Sequence, residues 1–264
     1  MKKFFISFYE RTGSTMLCHI LNKHPDIKCF FELLATPDER IKNKQAYHPK
    51  NSLYEILKHY HIPNGKNVGF KFKYPNQHNY YPEVTKYLYS NDDIKVVFLY
   101  RKNAIKQYIS KINQLKLIEI YKEANIQQER SIPKILFDPQ AQAFFYQYIT
   151  YYMMSTKLIY ELLINKPNVI TINYEELCTQ TEETILSICN FLEVDFDPKM
   201  LENMTTMKIS DNNIQNNFVN PLQFMDYVKK IDLEVFLNDD VTIENWPAIF
   251  CEPVFDLQKK LMFL

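Results

Sequence analysis

Glycine is nearly absent from this chain: 3 in 264 residues, which excludes collagen-like and low-complexity sequences. Net charge is absent too, with 31 basic against 31 acidic residues. A general nucleic-acid binder needs a basic surface to displace counterions, so that class is set aside, although a few cations in a cleft could still hold an anion. No CxxC pair occurs among the 5 cysteines (Cys18, Cys29, Cys178, Cys189, Cys251), and their odd number fits reduced thiols in a cytoplasmic protein better than a disulfide framework. The six histidines also lack metal-ligand spacing, so no metal is expected. Long apolar runs are missing. Residues 4–9 reach only strand length, too short for a signal-peptide core, and the uncharged stretch 141–156 is interrupted by Gln, Thr and Ser. No stable membrane insertion is expected.

What is plentiful is core material, at 46% apolar and 15% aromatic. Five short runs rich in aromatic or β-branched residues read as strands: 4–9 (FFISFY), 27–31 (IKCFF), 68–73 (VGFKFK), 95–100 (KVVFLY) and 169–174 (VITINY). Helical patterns separate them, at 14–24, 52–61, 82–90, 103–117, 139–165 and 181–192. Strands alternating with helices predict one α/β domain, residues 1–264, with a mostly parallel central sheet and helices on both faces. The Asn-rich stretch 211–217 reads as a loop.

In such a sheet, ligands gather at the carboxyl ends of strands. The segment Glu10-Arg11-Thr12-Gly13-Ser14-Thr15 joins the first strand to the first helix. Gly13 permits a tight turn, Ser14 and Thr15 add hydroxyls at a helix N-terminus, and Arg11 offers a planar cation; together they make either an anion site or an ordinary capped helix. The pattern G-x-x-x-x-G-K-[ST] is missing, so the usual handles of a magnesium-dependent nucleotide kinase are lacking. Only 4 of the 31 basic residues are Arg, and two of these, Arg11 and Arg101, directly follow predicted strands. Bidentate geometry is what Arg adds where Lys is the default cation. Ser110, nine residues after Arg101, is either a second phosphate ligand or a small helix residue.

In order along the chain, RTGSTMLCHILNKHPDIKCFFE, VGFKFKYPNQ, YRKNAIKQYIS and NYEELCTQTEETILSICNFLEV resemble the sulfotransferases that use 3′-phosphoadenosine 5′-phosphosulfate (PAPS), particularly bacterial carbohydrate and tyrosylprotein sulfotransferases. The resemblance spans residues 4–110 and 168–196 and implies a P-loop-kinase-like sulfotransferase architecture. It implies that Arg11, Thr12, Gly13, Ser14 and Thr15 hold the 5′-phosphosulfate, that Arg101 and Ser110 grip the 3′-phosphate, and that Tyr174 lies near the adenosine. Lys102 is an alternative to Arg101, because the spacing between that cation and the Ser varies in the family. Glu32 falls where the tyrosylprotein enzymes and some carbohydrate enzymes of the family place a general base, and His78 is a lesser candidate for the His that the cytosolic branch uses instead. Lys71 in GFK, or its same-face neighbour Lys73, would together with Arg11 stabilise charge on the sulfonate and leaving phosphate. Of a final segment closing over the nucleotide only Lys208 and Ser210 can be suggested. The implied activity is sulfuryl transfer from PAPS to a hydroxyl of a saccharide, glycolipid or small metabolite, leaving adenosine 3′,5′-bisphosphate (PAP). Alternatives are a nucleotide or nucleoside kinase on a related fold, or sulfation of peptide tyrosine. The Tyr- and Met-rich stretch 144–154 serves either the core or a homodimer interface.

Overall fold

The computed structural model describes residues 2–34, 52–60, 66–74, 77, 80–122, 131–202, 210–238 and 241–248. His78, Lys208 and Cys251 lie outside them. The chain divides into two compact units: one formed by residues 1–100, 159–204 and 253–264, the other by residues 101–158 and 205–252.

The first unit is built on five strands, β1 (Lys3–Phe8), β2 (Ile27–Glu32), β3 (Asn67–Lys73), β4 (Ile94–Tyr100) and β5 (Val169–Asn173). They form a sheet in the order β2-β3-β1-β4-β5, and every pairing is parallel. Each strand lies within one or two residues of its sequence prediction. On one face Phe4, Ile6 and Phe8 join Leu17, Cys18 and Leu21 of α1 (Ser14–Leu21) and Ile185 and Ile188 of α7 (Thr181–Leu192) in a single buried cluster. On the other, the Phe5 ring packs on Phe70, Phe72 and Tyr89, while Tyr60 packs on Phe70, so α2 (Ser52–Tyr60) and α3 (Pro82–Ser90) cover that side. Alternation along β1 thus supplies both cores.

Several element ends differ from the sequence reading, among them those of the first helix and the fifth strand. The first helix stops at Leu21 rather than residue 24, because the Asn22 amide pairs with the β2 backbone, donating to the Cys29 carbonyl (2.6 Å) and accepting from the Cys29 N–H (2.9 Å). The fifth strand ends at Asn173, not Tyr174: the Asn173 side chain accepts from the Glu176 N–H (2.9 Å) and caps a short helix, α6 (Tyr174–Thr179).

Gly69 sits in register with Phe4. A Cβ at position 69 would fall 2.3 Å from the buried Phe4 ring. Gly69→Ala should therefore destabilise the protein by about 1–3 kcal/mol through overpacking, outweighing the entropy it removes from the unfolded chain. Denaturant unfolding checks this. Phe4→Leu removes the ring, so the same substitution should cost at least about 0.5 kcal/mol less in that background; strict additivity would refute the clash.

The second unit contains α4 (Ala104–Tyr121), most of α5 (Pro139–Leu163) and α8 (Pro221–Lys230). Its core is an aromatic cluster in which Phe137 meets Phe145, Phe218 and Phe224 edge-on. The Asn-rich stretch is largely a loop, but residues Ile214–Asn217 close into a 3-10 turn, with the Asn217 amide donating to the Asp211, Asn213 and Ile214 carbonyls. Among the described residues no helix is long and apolar enough to cross a membrane, and no group of three or more His, Cys, Asp or Glu gathers where a metal could sit.

Candidate active site

The carboxyl end of β1 leads into a tight turn. Arg11 (φ 63°) and Gly13 (φ 82°) are both left-handed, and a turn of this kind is where backbone N–H groups converge on an anion. Thr12, buried between them, donates its hydroxyl to the Tyr9 carbonyl (2.8 Å), so it holds the loop's shape. No side chain caps α1; Gly13 is the N-cap, its carbonyl accepting from the Leu17 N–H (3.0 Å). The helix's first amides, with Ser14 buried among them, lack intrahelical acceptors and carry the positive end of the macrodipole. Tyr174 lies directly against this loop, since a Cβ on Gly13 would come within 2.6 Å of its ring. Glycine at position 13 therefore answers both the backbone angle and that close approach.

Lys71, on β3, points to the same place. Its side chain is only 3% exposed, and a buried ammonium needs compensation. It donates to Thr15 Oγ1 (3.0 Å) and pairs with Glu32 Oε1 (3.1 Å). The rings of Phe8 and Phe31 flank it, with centroids 5.0 and 5.6 Å from Nζ. Lys73, on the same face, is half-buried, and its backbone N–H donates to Gln77 Oε1 (2.7 Å). The cation that joins the loop to the carboxylate is Lys71.

Glu32 reaches Lys71 through an irregularity that alternation does not foretell. Cys29 pairs with Gly69 and Phe30 with Phe70, yet Glu32, not Phe31, pairs with Lys71. Phe31 is thus the extra residue of a β-bulge. In unbroken alternation Phe31 would share the face of Ile27 and Cys29, and Glu32 would point to the opposite one. The bulge turns the carboxylate onto the Lys71 side. Behind it, burial pushes the Cys29 thiol well above its ordinary range, so this cysteine is a protonated core residue.

Arg101 and Ser110 belong to the second unit. Arg101 is buried, and its backbone is held by Tyr152, whose hydroxyl accepts from the Arg101 N–H (3.0 Å) and donates to its carbonyl (2.6 Å). Trp246 Nε1 donates to the Lys102 carbonyl (3.0 Å), and Asn103 caps α4 by accepting from the Lys106 N–H (2.9 Å). Ser110 is half-buried on α4. One turn further on that face, Asn113 donates to Ser210 Oγ (3.1 Å), which brings the suggested closing-segment residue Ser210 to the Ser110 side of the helix. Tyr152 and Trp246 were missed by the sequence reading; each acts on a backbone distant in sequence, and no local pattern marks such a contact.

A family model for the sulfotransferase domain matches residues 1–242, and the chain belongs to that family. It is an enzyme that transfers sulfuryl groups. No curated protein matches it. Similar solved structures include a sulfotransferase from Alicyclobacillus acidocaldarius (16% identity, TM-score 0.48, covering 95% of this chain and 98% of that one). Mouse sulfotransferase SULT7A1 complexed with PAP shows 14% identity and a TM-score of 0.48, covering 90% of this chain and 84% of that one. The sulfotransferase domain of the Synechococcus PCC 7002 olefin synthase shows 16% identity and a TM-score of 0.45, covering 90% and 95%.

Proposed function

We propose that the donor is PAPS and that the acceptor is a hydroxyl of a saccharide, glycolipid or small metabolite, attacked in line with Glu32 as general base. The observation that carries this reading is the contact of Lys71 with both Thr15 and Glu32, which sets a carboxylate and a cation beside the turn of residues 11–15. An acceptor oxygen forms a new bond to sulfur while the bond from sulfur to the 5′-phosphate oxygen breaks. The hydroxyl proton passes to Glu32, and PAP leaves with the bridging electron pair. Lys71 and Arg11 stabilise charge on the sulfonate and leaving phosphate, the remainder of residues 11–15 holds the phosphosulfate, and Tyr174 borders the adenosine. Arg101 and Ser110 take the 3′-phosphate. The reading treats residues 1–264 as one catalytic domain working in the cytoplasm, where the free thiols of Cys18, Cys29, Cys178 and Cys189 stay reduced.

Thermal unfolding tests the donor. PAP at 100 times its dissociation constant adds about 2.7 kcal/mol to native stability, which should raise the Tm by roughly 5–10 °C in a protein of this size. Arg101→Ala and Ser110→Ala should diminish the shift. Stabilisation by ADP with magnesium and none by PAP would replace the sulfotransferase reading of this site with a kinase.

A further inference from the structure

Phe31 is 43% exposed, yet its ring is fixed on two sides: Lys71 Nζ lies 5.6 Å from its centroid, and the exposed His19 ring meets it edge-on at 5.1 Å. It is the bulged residue itself, immediately before Glu32 and facing the same ammonium. Any hydroxyl that gives its proton to Glu32 must bring its oxygen within about 2.6–3.2 Å of that carboxylate. Glu32 Oε1 (3.1 Å) and the Phe31 centroid (5.6 Å) both border Lys71 Nζ, so the carbon skeleton bearing that hydroxyl can reach the Phe31 ring.

We propose that Phe31 and His19 form the acceptor platform, and that it takes a pyranoside. This deepens the reading of Glu32 as base and rests on it. A pyranose ring presents axial C–H groups on one face and hydroxyls around its rim. The C–H face suits the open side of the Phe31 ring, one rim hydroxyl goes to Glu32, and a second meets the His19 imidazole, whose nitrogens can donate or accept. A simple phenol has a single polar group and leaves the imidazole unused. Because the bulge that turns Glu32 inward is the same feature that presents Phe31, base and platform are set by one distortion of β2.

The test uses the full chain with methyl β-D-glucopyranoside, methyl β-D-galactopyranoside, methyl 2-acetamido-2-deoxy-β-D-glucopyranoside and 4-nitrophenol as probes. In the PAP-saturated protein, saturation-transfer NMR should mark the ring C–H protons of at least one pyranoside, and Phe31→Ala should abolish the effect. With PAPS, that pyranoside should be sulfated. Phe31→Ala should raise its KM about tenfold or more, and Phe31→Tyr should stay near wild type. His19→Ala should raise the KM for the pyranoside and not for 4-nitrophenol. An unchanged KM in Phe31→Ala overturns the platform. So does turnover of 4-nitrophenol without any pyranoside, or a PAP-binding protein that neither binds nor sulfates a pyranoside. Absence of PAP binding is a different failure, that of the donor reading.

Discussion

Glu32→Gln is expected to cut sulfuryl transfer from labelled PAPS by about 10²–10⁴-fold, the contribution usually found for a positioned general base. The amide keeps the shape of the side chain and an oxygen that can accept from Lys71 Nζ, which now lies 3.1 Å from the carboxylate. What it removes is the capacity to take a proton. Glu32 is about one-third exposed at the end of β2, but it compensates the buried Lys71 ammonium, so Glu32→Gln should melt below wild type. The rise in Tm that PAP adds to the variant's own baseline should be retained, separating loss of chemistry from loss of donor binding. Glu32→Ala opens a space the size of a small acid, and added formate should restore part of the rate. Transfer within threefold of wild type in Glu32→Gln would remove Glu32 from the mechanism, and a protein that binds nucleotide without turnover would show no effect because it has no rate to lose.

How far the position of Glu32 was legible in the sequence, and why its surroundings were not, follows from the range of the forces involved. The five strands were readable because aromatic and β-branched residues cluster in runs separated by helical periodicity, which is local information. Gly13 was readable as a turn at a strand end, and its left-handed angle agrees with that; Arg11 was read as a cation, and its own left-handed angle was not foreseen. The bulge at Phe31 was not readable. In the string IKCFFE, alternation assigns Phe31 inward and Glu32 outward, and only pairing with Gly69, Phe70 and Lys71 on another strand reverses this. Likewise Lys71 and Lys73 share a face of β3, so periodicity treats them alike. What separates them is three-dimensional: Lys71 finds Thr15 and Glu32, while Lys73 is the last residue of its strand. The Tyr152 hydroxyl that fixes the Arg101 backbone comes from a helix 51 residues later in the chain.

Lys71→Met is expected to lower kcat by about 10²–10³-fold, the scale of losing one preorganised donor to a developing negative charge. The ammonium is held between Phe8 and Phe31 and away from water, so its field is little screened, and it needs no reorganisation as charge builds on the leaving phosphate. Stability should change far less. Methionine fills nearly the same volume between the two rings, and the carboxylate it leaves behind can be solvated, being about one-third exposed. Lys71→Arg retains the charge but carries a broader head, and should recover only part of the rate. The double variant with Glu32→Gln decides whether the two residues act as a unit. Lys71 touches the base and the Thr15 hydroxyl at once, so the combined loss should fall well short of the product of the single losses. Strictly multiplicative losses would mean that the ion pair is structural and that cation and base act independently. A Lys71→Met enzyme with normal kcat would shift the role of charge stabilisation to Arg11 alone.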